Sequence, residues 1–263
     1  MDISSIGFMI FSFVALIGAF LLEGGALSGL LGLPPAMIVF GGTLGAVGAS
    51  FPLAEIKRAP KMIGVMLKPK KVNLVELIIF FRDVSYKTRK NGLLSIESEV
   101  LTSDIDPFLK KGLQLVVDGV EPETIQGVLE MDIEMTSERH KKGAAVFASA
   151  GGYAPTMGII GTVMGLVHIL ADLSEPATLG PKIASGFIAT LYGISSANLI
   201  WLPIANKLKA LDSIEYNEKS LMMEAILLIQ SGTNPNTLVE KLKGFLDKKQ
   251  VAELEAAGKG SEQ

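Results

Sequence analysis

The chain has 263 residues, of which 49% are hydrophobic and only 19% charged, with a formal net charge of −3 and a mean hydropathy of +0.43. Mild acidity gives no support to nucleic-acid binding, and zero cysteines rule out disulfides, thiolate chemistry and Cys-based metal sites. Charge avoids some regions and crowds others, the pattern of a polytopic membrane protein with a hydrophilic domain. The first apolar run begins almost at Met1, lacks a basic leader and ends in Leu21-Leu22-Glu23-Gly24-Gly25, a poor cleavage site, so it reads as a retained helix.

About 20 apolar residues span a bilayer as a helix. Ile3–Leu22, Leu33–Leu53, Ala144–Ala171 and Ile183–Ala205 qualify, and none holds Asp, Glu, Lys or Arg in its interior. Lys and Arg collect after the second run ("EIKRAPKMIGVMLKPKK"), before the third ("SERHKKG") and after the fourth ("NKLKALD"), so those ends are expected to be cytoplasmic. The predicted fold is all-α: residues 1–53 form a first transmembrane hairpin, 54–143 a cytoplasmic helical domain, 144–206 a second hairpin, and 207–263 cytoplasmic helices and a tail. Within the soluble part, Leu74, Leu77, Ile78, Phe81 and Val84 recur at helical spacing behind an Asn73 cap, with a stop at Asn91-Gly92. "LLSIESEVL" and "DPFLKKGLQLVVDG" read as shorter helices. The helix opening at Pro122 is expected to run on into the third span. Beyond the fourth span, "DSIEYNEKSLMMEAILLIQSG" and "NPNTLVEKLKGFLDKK" read as two amphipathic helices, the second capped near Asn234, and "VAELEAAGKGSEQ" as a frayed end. No strand pattern appears.

The spans are rich in small residues. Gly158, Thr162 and Gly165 follow Pro155 along one face of the third, and Gly186, Thr190, Gly193 and Ala197 mark one face of the fourth. Tight packing alone accounts for most of the glycines, and a membrane threonine commonly satisfies itself on its own backbone carbonyl. Thr162 and Thr190 nevertheless share the mid-membrane level, so the two stripes together are read as a polar crevice suited to holding a foreign helix. Pro155 and Pro203 each free a carbonyl and read as a hinge or a plain kink. His168, near the outer end, reads as a hydrogen-bonded structural residue. Ion pathways rely on intramembrane ionisable groups, and these spans have none. Either the chain moves no ion, or the acid arrives on another polypeptide.

"YAPTMGIIGTVMGLVHIL", "FIATLYGISSANLIWLP" and "YKTRKNGLLSIESE" resemble the third span, the fourth span and the charged cytoplasmic segment of the MotA/PomA family of flagellar motor stator subunits. The resemblance covers nearly the whole chain. It implies a homo-oligomeric ring, of five copies, around a pair of MotB-type single-span helices that supply the ion-binding aspartate, in the inner (cytoplasmic) membrane with both termini cytoplasmic, pushing the rotor protein FliG. It implies an ion-pathway role for Thr162 and Thr190, a gating role for Pro155 and Pro203, and a rotor contact at Arg89 and Glu97 with Lys87 and Lys90 beside them. No cofactor is implied beyond the transported ion, H+ by default or Na+. The alternative is an ExbB/TolQ-like energiser subunit, a type that resembles a three-span chain. An enzyme is not expected: the sequence has no His-Glu-x-x-His, no membrane Asp pair and no Ser with a plausible His partner. A stand-alone transporter would need its own intramembrane charge.

Overall fold

The computed structural model describes residues 3–70, 72–97, 105–171 and 176–260. Every element among them is helical. Among the described residues, four helices are long and apolar enough to cross a membrane. They are α1 (Ile3–Leu22); a second run made of α2 (Leu33–Ala36), a π-helical turn (Met37–Gly41) and α3 (Gly42–Ser50); α7 (Pro122–Ala171); and a fourth run made of α8 (Pro176–Ser196), a second π-helical turn (Ala197–Trp201) and α9 (Leu202–Gln230). Between the second run and α7 come α4 (Leu53–Leu67), α5 (Leu74–Asn91), a 3-10 turn (Leu93–Ile96) and α6 (Pro107–Val117); α10 (Pro235–Leu242) and α11 (Lys248–Gly260) follow α9.

The chain divides into two compact units, one of residues 1–69 and 139–211, the other of 70–138 and 212–263. The first holds the membrane-crossing stretches. The second is a water-type domain with a single apolar core in which Ile78 and Phe81 of α5, Leu113 of α6, Ile125 and Leu129 of α7, Ile226 of α9 and Leu238 of α10 are all but inaccessible. Its helix starts are set locally. Asn73 accepts from the amides of Val75 and Glu76, Asp106 from that of Phe108 and Asn234 from that of Asn236. Gly92 (φ +81°) supplies the left-handed residue that ends α5.

Asp106 also accepts from Lys70 Nζ at 2.7 Å, and the same ammonium lies 3.4 Å from Glu218 Oε1. The two carboxyls respond differently. Burial would raise the Asp106 carboxyl, but Lys70 and the Phe108 amide outweigh it and hold the group below its usual range. Burial dominates at Glu218, whose side chain is 9% exposed and more distant from Lys70, so that carboxyl is pushed up.

Three expectations change, and one segment that carried no separate expectation is filled in. The second span ends at Ser50, not Leu53, because Phe51 precedes a proline and turns extended (φ −125°, ψ 147°). The basic segment after it is itself a helix, α4, despite Pro60. "DSIEYNEKSLMMEAILLIQ" is no separate helix but the continuation of α9, since charge interrupts hydropathy without interrupting helicity. The tail expected to fray is α11 up to Gly260, held by buried Leu254. α7 does run unbroken from Pro122 into the span. Glu99, the end of "LLSIESEVL" and the outer loop at 172–175 lie outside the described residues.

Candidate functional site

In the membrane unit, α7 and α8 meet along their small residues. A methyl on Gly158 would lie 2.9 Å from the Ala189 carbonyl oxygen and 3.0 Å from Thr190 Cα; one on Gly193 would lie 2.5 Å from the Ala154 carbonyl oxygen; one on Gly165 would lie 3.2 Å from Gly186 Cα. Only glycine permits this approach, and small residues are how membrane helices gain contact where no hydrophobic force drives association. The two stripes therefore cover each other. They do not form an open crevice for a foreign helix, as the sequence suggested. The faces left exposed on α7 and α8 at this level carry large apolar side chains, Ile159, Ile160, Val163, Phe187 and Ile194, beside Thr156, whose hydroxyl donates to the Tyr153 carbonyl.

The close approach brings together the two threonines. Thr162 Oγ1 lies 2.5 Å from Thr190 Oγ1, 2.9 Å from the Gly186 carbonyl oxygen and 3.2 Å from that of Gly158, while Thr190 Oγ1 lies 3.4 Å from the Gly158 carbonyl. Both side chains are half-buried. The result is four neutral oxygens within one helix pair, two of them hydroxyls that can donate or accept. Such a set can stand in for part of a hard cation's hydration shell. It carries no negative charge of its own.

The prolines differ from each other. α7 passes through Pro155 without a break. Pro203 follows the π-helical turn Ala197–Trp201, the local widening by which the helix accommodates a ring that would strike the carbonyl four residues earlier. The Trp201 Nε1–H inside that turn is buried with no partner. His168 is exposed on α7 and, among the described residues, makes no hydrogen bond, so it is not the bonded structural histidine expected.

Tyr192 was missed altogether. Two residues beyond Thr190, and so on the opposite face of α8, its hydroxyl donates to the Leu30 carbonyl (2.5 Å) and accepts from the Gly32 amide (3.2 Å), while its ring packs near Phe40 with centroids 6.1 Å apart. This satisfies backbone at the turn joining the first two spans. A lone tyrosine in an apolar run carries no pattern by which sequence could have found it.

The charged segment sits in the other unit. Arg89 and Lys90 are exposed in the last turn of α5 and Lys87 is half-buried there; Glu97 is exposed just past Ile96, which is 1% accessible. Buried Thr88 and Ile96 pin the corner, so its charges project from fixed backbone.

Residues 101–220 match the MotA/TolQ/ExbB proton channel family and residues 5–92 match the family described as Motility protein A N-terminal. Among curated relatives, the chain is 37% identical over 250 residues to Motility protein A of Bacillus subtilis (95% of this chain, 92% of that one) and 33% identical over 247 residues to Chemotaxis protein PomA of Vibrio alginolyticus (94% and 96%). Among solved structures it resembles the flagellar MotAB stator complex from Bacillus subtilis (TM-score 0.89, 35% identity, 95% of this chain and 98% of that chain) and MotAB of C. jejuni (TM-score 0.89, 32% identity, 94% and 97%). The chain is a multi-pass membrane protein of the motility protein A family.

Proposed function

We propose that this chain is the ring-forming subunit of a flagellar motor stator, which couples inward ion flow to torque on the rotor together with a MotB-type single-span partner. The observation that carries the reading is the hydroxyl pair Thr162–Thr190 in spans free of Asp and Glu. Neutral oxygens can ease a cation past, but binding and release need a group that changes charge. The partner's helix supplies that acid, and likeness to solved MotAB complexes supports such a partner. The chain works in the inner membrane with both termini cytoplasmic, as the Lys/Arg-rich flanks indicate. Five copies ring a partner dimer. Pro203, behind its π turn, is the hinge through which the spans respond to each ion, and Pro155 shapes α7 opposite it. H+ is the default ion; the two threonines argue for Na+.

Torque leaves through Arg89 and Glu97, with Lys87 and Lys90 alongside, against the rotor protein FliG. Repeated make-and-break contact suits exposed, salt-sensitive charges, each pair worth about 0–1 kcal/mol. Arg89→Glu and Glu97→Lys should each reduce swimming severalfold while leaving membrane levels of the complex unchanged, and reversing a facing rotor charge should restore it. Normal swimming by both variants removes the electrostatic contact.

A further inference from the structure

α4 lies at the Lys/Arg-flanked ends of the spanning helices. Its apolar edge, including Met62, Ile63 and Met66, packs on Ala144 and Phe147 of α7 and on Ile204 and Leu208 of α9. Ala59 reaches the cluster of Val47 on α3, and α4 also touches α1. One helix therefore contacts all four membrane-crossing runs at one level, which places it in the plane where hydrocarbon gives way to headgroups.

Its opposite edge has an informative order. Leu53, Lys57, Lys61 and Val65 succeed one another at four-residue spacing, so they form one row along the helix. All four are exposed, Leu53 at 64% and Val65 at 57%. Arg58 stands beside the row, also exposed, 3.3 Å from Glu55, and Glu55 is the only carboxylate in residues 51–69, against Lys57, Arg58, Lys61 and Lys68. A row facing water has no use for leucine and valine at its ends, and a row facing acyl chains has none for two lysines. The combination fits the boundary between them, where lysine stems lie along apolar surface and their heads reach phosphate.

We propose that this row is a binding site for an anionic phospholipid of the cytoplasmic leaflet, its phosphate seated on Lys57, Arg58 and Lys61 and its chains along Leu53 and Val65. Juxtamembrane cations each strengthen association with anionic lipid by roughly fivefold. The inference uses the membrane placement of the chain and not its ion coupling, so its test is independent of motility.

The complex with its single-span partner is reconstituted in nanodiscs, and its association with spin-labelled phosphatidylglycerol is compared with that of spin-labelled phosphatidylcholine by electron spin resonance. The complex should prefer the anionic lipid severalfold. The preference should fall at least about threefold in Lys57→Gln/Lys61→Gln, persist in Lys57→Arg/Lys61→Arg and in the α11 control Lys249→Gln, and fade above about 0.5 M salt. Millimolar inorganic phosphate should leave it intact; displacement by phosphate would instead make this a free-anion site and overturn the lipid assignment. Equal association of both lipids, or an undiminished preference in the glutamine variant, also overturns it. So does a glutamine variant whose only change is the number of subunits in the complex, which assigns the row to a neighbouring copy.

Discussion

Thr190→Val should all but abolish swimming while leaving the complex assembled. Valine keeps the branched shape of threonine, so the contacts that Gly158 and Gly193 make possible survive. What goes is one hydroxyl of the pair. Thr162 retains the Gly186 and Gly158 carbonyls at 2.9 and 3.2 Å, so it is not stranded, and the loss to helix association is about 1 kcal/mol. The ion, in contrast, loses one of two uncharged groups able to reorient toward it. Thr190→Ser, which keeps the oxygen, should swim. Partner co-purification, measured beside swimming speed, separates a failed site from a failed complex, and normal swimming by Thr190→Val would remove the threonine pair from the ion's path.

A second substitution attacks the same place from the backbone. Gly193→Ala sets a methyl 2.5 Å from the Ala154 carbonyl oxygen and 3.1 Å from Gly158 Cα. Neither neighbour is a side-chain end that can swing aside, so the helices must part. Overpacking of this kind costs about 1–3 kcal/mol, and parting also stretches the Thr162–Thr190 contact. Reduced thermal stability of the purified complex and loss of motility are expected together. Gly152→Ala on α7, where a methyl meets nothing within 4 Å, should be close to neutral. Equal behaviour of the two would mean that α7 and α8 do not pack as described.

The contrast between these two sites explains what sequence could and could not convey. The spans were legible because hydrocarbon demands a fixed length of apolar helix, and Asn73 and Asn234 announced helix starts by simple chemistry. The stripes of glycine and threonine announced a close approach but not its object: spacing alone does not say whether a small face awaits a neighbour in the same chain or another. Here α7 and α8 answer each other, and the threonines are brought together as a consequence. α4 carried no reading of its own beyond its positive charge, since Pro60 and the lysines interrupt any simple helical pattern. Tyr192 and the π turn before Pro203 are set by tertiary contact and backbone geometry, neither of which leaves a periodic trace. The rotor-facing charges were legible only as a charged corner, and Gly92 with buried Ile96 shows why that corner holds still.

Reconstitution into proteoliposomes under an imposed H+ or Na+ gradient isolates the role assigned to the missing acid. Liposomes holding this chain alone should stay tight, and those holding it with the single-span partner should conduct, with conduction lost when the partner's membrane aspartate becomes asparagine. Dissipation of either gradient by the chain alone would contradict the assignment, because neutral oxygens would then have sufficed.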